Sequence, residues 1–264
     1  MKAIIFLFFM LISGSVWSQK IHVIYTHVRS PIATLKENLY IDGSKAISKQ
    51  DSLFQVNTMS SGEGNYAMVQ KGGGSKQAVY YLSNIGTNQK NRDYFFTSYI
   101  NPGVDYFFVH DKVPAPVWKI DHQSTKKIAG YVCTKATTLF RGSAVTAYFA
   151  KDLPYSAGPF KFFGLPGLIL DVRADNKDFD IWKADKVIVN YPEKVNFAPA
   201  FKKYTKIEMK DFMEIKEKDF RKRSDENLKK IKSFLPSSVE VHSAPNSRFG
   251  IEKIFEWETK APGT

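Results

Sequence analysis

The chain has one cysteine, Cys133, in 264 residues, so no internal disulfide can staple it. Its five histidines, His22, His27, His110, His122 and His242, are scattered, and neither H-E-x-x-H nor C-x-x-C occurs to give a metal-ligand spacing. No serine sits in a G-x-S-x-G elbow, and Ser143 in RGSAV lacks the second glycine. In GPFKFFGLPGLILDV, residues 158–172, the glycines lead into Leu168, Ile169 and Leu170, where a phosphate loop needs Lys followed by Ser or Thr. These absences argue against nucleotide binding and leave serine and zinc hydrolysis unsupported. No cofactor and no metal are expected.

The chain opens with MKAIIFLFFMLISGSVWSQ, one early lysine followed by an apolar run and small residues. This reads as a signal peptide over residues 1–18, cleaved after Ser18, with an uncleaved anchor as the alternative. No cysteine ends the signal to accept a lipid, and the expected location is periplasmic or secreted. About 245 residues remain, read as a single β-rich domain over 19–264, and a 43% hydrophobic content supplies a core that needs no staples.

The formal charge is +12, and basic residues concentrate in KKYTKIEMKDFMEIKEKDFRKRSDENLKKIK, residues 202–232. One reading is a solvated helix face with (i, i+4) pairs such as Asp219 with Arg223 and Glu226 with Lys230. The other is a basic helix that meets a partner or makes peripheral membrane contact. Export, and the lack of any nucleic-acid-binding motif, argue against nucleic acid as a partner.

IHVIYTHVRS alternates as a strand that Pro31 interrupts, and ENLYIDG is a second strand closed by Asp42 and Gly43. SKAISKQDSLFQV reads as a connector that starts a short helix, and residues 60–77 as a mobile polar loop. Short aromatic and β-branched segments then follow closely: AVYYLS, DYFFTSYI, VDYFFVHD, PVWKIDHQ, KKIAGYVCTKATTLF, AVTAYFAKDLP, LPGLILDVRAD and DFDIWKADKVIV. No amphipathic helix separates them, so an antiparallel meander is expected. Past Pro199 the period changes, and Phe212, Ile215, Phe220 and Leu228 share a face of a helix expected over about 207–234. Val239 to Trp257 has weak strand character, and APGT is a disordered-looking tail. The expected fold class is α+β: a predominantly antiparallel, curved or half-barrel β-sheet with a C-terminal helix.

Charged candidates are few. His110 with Asp111 and Asp121 with His122 flank adjacent strands and would serve a metal or acid-base site if they met at one sheet end, or else are turn residues. Asp171, Asp175, Asp178 and Asp180 read as a hairpin turn more readily than as a calcium or acid-base site, because Lys177 interrupts them and EF-hand spacing is absent. The aromatic triplets Tyr94, Phe95, Phe96 and Tyr106, Phe107, Phe108 put large apolar groups on both faces of their strands. If one face is core, the other meets a helix, a partner or a ligand cavity, so these six residues are the candidate ligand-facing set.

The block from Trp118 to Val172 carries Trp118, Ile120, an I-x-G-Y-x-C element over 128–133, the strand 136–140, Gly158 and Pro159, and the hexapeptide Gly164, Leu165, Pro166, Gly167, Leu168, Ile169. It resembles the signature of the GLPGLI family of exported proteins, found mainly in Bacteroidetes. The chain departs from the family's Gly-Arg and Ala-Trp-Phe pattern at Gly142, Ser143, Ala147, Tyr148 and Phe149, although Arg141 stands beside that position. The resemblance implies a secreted or periplasmic protein, in some cases encoded near TonB-dependent outer-membrane receptors, and implies no reaction. A weaker likeness of pattern is to periplasmic lipoprotein carriers, whose curved sheet wraps an apolar cavity. Physically, Pro166 fixes its own φ and extends Leu165, while Gly164 and Gly167 permit angles or approaches closed to other residues. The hexapeptide thus reads as a buried corner feeding a central strand, with a ligand-contacting loop as the alternative.

These residues favour a non-catalytic envelope accessory or carrier protein that binds an apolar, lipid-like ligand or an outer-membrane protein partner, and the resemblance implies a link to TonB-dependent import. The alternatives are a structural protein-interaction module with a filled core, whose contacts use the basic helix and a free strand edge, and a periplasmic hydrolase whose His and Asp meet only in the fold.

Overall fold

The computed structural model describes residues 19–31, 33–56, 78–86, 90–101, 103–236, 239–242, 248 and 250–259. The expected signal peptide, the polar loop over 60–77 and the APGT tail lie outside the described residues.

Twelve strands form one sheet: β1 (Ile21–Ser30), β2 (Ala33–Asp42), β3 (Lys45–Val56), β4 (Val79–Asn84), β5 (Asn91–Tyr99), β6 (Tyr106–Pro114), β7 (Lys119–Ile128), β8 (Tyr131–Phe140), β9 (Ser143–Ala150), β10 (Leu168–Ala174), β11 (Ile181–Val189) and β12 (Thr205–Glu208). Helix α1 (Met209–Phe234), the one helix among the described residues, follows. The order across the sheet is β12-β6-β5-β4-β3-β2-β1-β11-β10-β9-β8-β7. Two antiparallel meanders, β1 to β6 and β7 to β11, therefore join where β1 pairs with β11, His22 facing Ile188 and His27 facing Trp182. The sheet is open and mixed, because β12 adds to β6 in parallel.

Local chemistry sets the hairpins. Ile128 pairs with Tyr131 and Phe140 with Ser143, leaving two-residue loops, Ala129-Gly130 and Arg141-Gly142, whose members all have positive φ. That is the loop geometry whose twist matches the flanking strands. The aspartates after β10 do form a hairpin, with Asn176 and Asp180 in the left-handed region (φ 60° and 57°) and β10 paired to β11.

Three sequence expectations change, one being that Val239 to Trp257 holds no strand among its described residues. The segment 45–56 is a strand, not a helix start. Ala46, Ser48 and Gln50 point inward, and Ser48 and Gln50 both donate to the buried Glu37 carboxylate (2.6 and 2.9 Å). Their polar inner face hides the strand period. His110 and Asp111 lie in mid-strand on β6, not in a turn, and β7 with Asp121 and His122 is at the other end of the sheet order. The two His-Asp pairs therefore do not meet through strand pairing.

One face of the sheet holds the core, filled by Phe149, Leu168, Leu170, Val172 and Trp182 together with Phe162, Phe163 and Leu165 from the segment between β9 and β10. A second cluster joins Phe96, Ile100 and Val109 to Met209, Phe212 and Met213 of α1 and to Phe255. Among the described residues no helix is long and apolar enough to cross a membrane.

Candidate functional site

The breaker-rich segment lies inside the fold. Leu168 to Leu170 are fully buried, as an unalternating apolar strand covered on both faces must be. Leu165 is buried as well, while Gly164 and Pro166 reach the surface. Gly164 has φ +94° and donates its N–H to Ser156 Oγ (2.9 Å). Gly167 lies so close to β9 that a Cβ there would stand 2.2 Å from the Ala150 carbonyl oxygen. At Gly158, next to the buried Pro159, a Cβ would meet the Cβ of Ile169 at 2.8 Å. The sharp approach of the two segments, with Ile169 N–H donating to Ala157 O (2.9 Å), explains these glycines.

The same segment carries charge into the core. Lys161 is 1% exposed, and its ammonium donates to Asp111 (2.7 Å) and Glu252 (2.9 and 3.0 Å) between the rings of Phe96 and Phe160. Arg141, at the left-handed loop position after β8, makes bidentate contacts with Asp111 (2.8 and 2.9 Å) and Glu256 (2.9 and 3.0 Å) and also binds Glu252. Burial opposes ionisation of Asp111, but Lys161 and Arg141 outweigh it and hold its carboxyl well below the usual range. Burial likewise opposes the charge on Arg141, and its carboxylate partners reverse that, raising its pKa. The cluster ties β6, the β8–β9 loop, the 153–167 segment and the C-terminal segment together.

A second buried carboxylate has no cation among the described residues. Glu37, fully buried on β2, accepts from Ser48 Oγ, Gln50 Nε2, the Phe160 N–H (2.8 Å) and Trp182 Nε1 (2.9 Å). Four neutral donors saturate its lone pairs, and the bond to the Phe160 N–H holds that residue at φ +54°. Lys161, Glu37 and Glu252 were not singled out by sequence. The only available signal was a lysine set between two phenylalanines in an otherwise apolar run.

The pleat divides the six aromatic candidates. Tyr94 and Phe96 point into the core, and Phe107 packs on Phe212 of α1 (5.5 Å between rings). Tyr106 sits against Tyr99 and Tyr204. Phe95 and Phe108 stack on each other on the outer face (5.8 Å) and line an open groove of about 660 Å³. Leu82, Lys45, Asn84, Asp93 and the segment 197–199 complete it. Phe201 holds that segment down by packing on Tyr80 and Phe108.

By contrast, the inner gap bounded by Tyr81, Tyr94 and Phe160 measures about 10 Å³, room for one water at most. Phe162 and Phe163 of the 153–167 segment are buried on the inner side against Phe140, Trp182 and Tyr94.

His110 stands beside the groove, stacked on Phe95 (4.7 Å). Its Nε2 contacts Asp93 (2.9 Å) and its Nδ1 contacts Glu208 (3.0 Å). Partial burial alone would lower its pKa, but the two carboxylates outweigh it and raise it. Both ring nitrogens are engaged, so neither is open to a ligand in this arrangement. Asp171, fully buried on β10, is taken by Lys126 (2.8 Å) and Arg173 (3.0 Å). No group of three or more His, Cys, Asp or Glu side chains suited to a metal occurs among the described residues.

Comparison with known proteins adds little chemistry. A family model described as "Protein of unknown function (Porph_ging)" matches residues 139–171, the stretch from the end of β8 to Asp171 that contains the hexapeptide. No curated protein matches the chain significantly. Among solved structures it is similar to PNGF-II in a C2 crystal form (14% identity, TM-score 0.44) and in a P21 form (14%, 0.43). The alignments cover 72% and 74% of this chain but 31% and 32% of the PNGF-II chains, so the protein spans about a third of their length.

Proposed function

We propose that the protein is an exported, non-catalytic binding protein of the cell envelope whose ligand site is the outer groove. Its ligand is an anionic amphiphile: an apolar chain or ring bearing one acidic group. The observation that carries this is the stacked pair Phe95 and Phe108 opening on about 660 Å³ of groove with Lys45 at its rim. That volume falls in the range of small-molecule sites, which are apolar with a few placed polar groups. Asp93 is already held by His110, whereas Lys45 forms no ion pair among the described residues and stands exposed to meet an acid.

The proposal puts the ligand outside the sheet, because the chain's own segment fills the inside. A curved, half-barrel sheet is part of it. Phe163 packs on Tyr94 of β5 (6.1 Å) while its carbonyl accepts from Trp118 Nε1 (2.7 Å), one residue before β7. In a flat sheet β5 and β7 would lie nine strand spacings apart in this order, about 43 Å. Export and envelope placement rest on the N-terminal signal and on the resemblance to GLPGLI proteins, and a link to TonB-dependent import rests on that resemblance alone. The filled interior also favours a second reading, a structural module that docks an outer-membrane protein partner.

Native mass spectrometry of the mature chain before and after organic extraction, followed by titration with dansyl-undecanoic acid, tests the proposal. Saturable probe binding is expected, abolished in Phe95→Asp and weakened several-fold in Lys45→Glu. A clean apo mass with no probe binding, or binding indifferent to both substitutions, would overturn the groove and leave the interaction module.

A further inference from the structure

Helix α1 has 26 residues and is about 39 Å long, yet its buried residues, Met209, Phe212 and Met213, all lie in the first two turns. These pack on Phe96 and Val109. Further along the helix Glu217 accepts from Arg248 Nε (2.6 Å), and Phe220 also has a partner. Beyond Phe220 the helix carries Arg221, Lys222, Arg223, Lys229, Lys230 and Lys232 against Asp225 and Glu226. Asp219 takes Arg223 (2.6 Å), and the other five cations form no ion pair among the described residues.

The tip is apolar. Ile231 and Phe234, spaced i, i+3, share one helix face, Leu235 caps the helix end, and the three are 47%, 86% and 38% exposed, with Val239 just beyond at 46%. A phenyl ring so exposed at the end of a helix, collared by Lys229, Lys230 and Lys232, is unfavourable in water. It is favourable at a headgroup boundary, where aromatic and aliphatic groups enter and lysines reach back to phosphates. A rod tip also buries far less than the roughly 1,200–2,000 Å² of a stable protein interface. A bilayer needs no such area, because charge attraction and a few inserted side chains add together.

We infer that the distal end of α1 is a docking surface for an anionic lipid bilayer. Phe234, Ile231, Leu235 and Val239 enter the interface, and the surrounding lysines bind the acidic headgroups. This inference is independent of the outer groove, which lies against β3 to β6.

The test uses the mature chain with NBD attached at Phe234→Cys. Cys133 does not compete for the label, because it is fully buried and burial pushes its thiol up to about 11. With vesicles of phosphatidylcholine and phosphatidylglycerol at 7:3, co-sedimentation and a blue-shifted NBD emission are expected at low salt, and both should fall in 0.5 M NaCl. Each basic residue near an anionic surface contributes about fivefold in partitioning, so Lys229→Glu/Lys230→Glu/Lys232→Glu should weaken binding at least a hundredfold. Its melting curve should match that of the parent chain, since all three side chains are exposed. The inference is overturned by failure to bind these vesicles, by equal binding to pure phosphatidylcholine, by binding insensitive to both salt and the triple substitution, or by binding with an unshifted NBD signal.

Discussion

Gly167 shows how much of this fold depends on a missing side chain. A Cβ there would lie 2.2 Å from the Ala150 oxygen and 2.8 Å from its carbonyl carbon, both backbone atoms that cannot swing aside. Gly167→Ala should therefore cost at least about 3 kcal/mol, the upper range of overpacking, read as a loss of folded protein or a large drop in urea midpoint. Gly130→Ala is the control. Its φ is +94°, but nothing lies within 4 Å of the added carbon, so only the left-handed backbone is penalised, by about 1–2 kcal/mol. A second residue-scale expectation concerns Lys161. Replacing it by Met leaves Asp111 with Arg141 alone and strips Glu252 of one of its two cations. Breaking a buried pair in this way costs about 3–5 kcal/mol, measurable by equilibrium unfolding. The corner at Gly164 to Ile169 was legible because breakers and an apolar strand sit side by side in sequence. The role of Lys161 was not, since its anions are 50 and 91 residues away.

Elements differ in how firmly they are held. β12 has four residues and among the described residues pairs only with β6, and a side-chain link there is Glu208 to His110. Because the folded pKa of His110 is raised, the stabilisation it gives is complete below the unfolded value of about 6.5 and is lost as pH rises through the folded value. Hydrogen exchange of the amides of Thr205 to Glu208, corrected for intrinsic rate, should thus accelerate as pH rises above about 6.5, and Glu208→Gln should reduce that pH dependence. Unchanged protection across that range would remove His110 as the clasp. Strand segments covering β4 to β11 and the helix were readable from period and punctuation, the helix to within two residues at its start (Met209 against 207), but KKIAGYVCTKATTLF runs the end of β7 into β8 across the Ala129-Gly130 turn, and the four residues of β12 carry no strand signal. β3 was not, because its inward side chains Ser48 and Gln50 serve a carboxylate on another strand. Alternation in the aromatic triplets foretold two occupied faces. That the outer one forms a groove depends on Phe201 folding back onto Tyr80 and Phe108, a contact no local pattern announces.

At the scale of the whole molecule, the sheet order was the least legible feature, since pairing β1 with β11 joins residues 21–28 to 181–189. That junction also sets the acid response. His27 on β1 stacks on Trp182 of β11 (4.1 Å), is 4% exposed, and has no hydrogen-bond partner on either ring nitrogen. Burial, reinforced by Arg29, pushes its pKa down to about 3, so the folded protein holds it neutral. The unfolded chain takes up the proton from about pH 6.5 downward, and stability must fall with pH across the window between those two values. Over pH 6.5 to 4 the loss attributable to this one ring is about 3 kcal/mol. Asp111, held low by its cations, adds its own loss only below the usual carboxylate range, whereas His110 acts in the opposite direction. The difference between the parent chain and His27→Phe, which keeps a ring against Trp182, isolates the effect. Urea unfolding at pH 7, 5.5 and 4 should show the parent losing about 3 kcal/mol more than the variant. Parallel decline of the two proteins would mean that the β1–β11 junction admits a proton without opening, and that acid sensitivity arises elsewhere in the sheet.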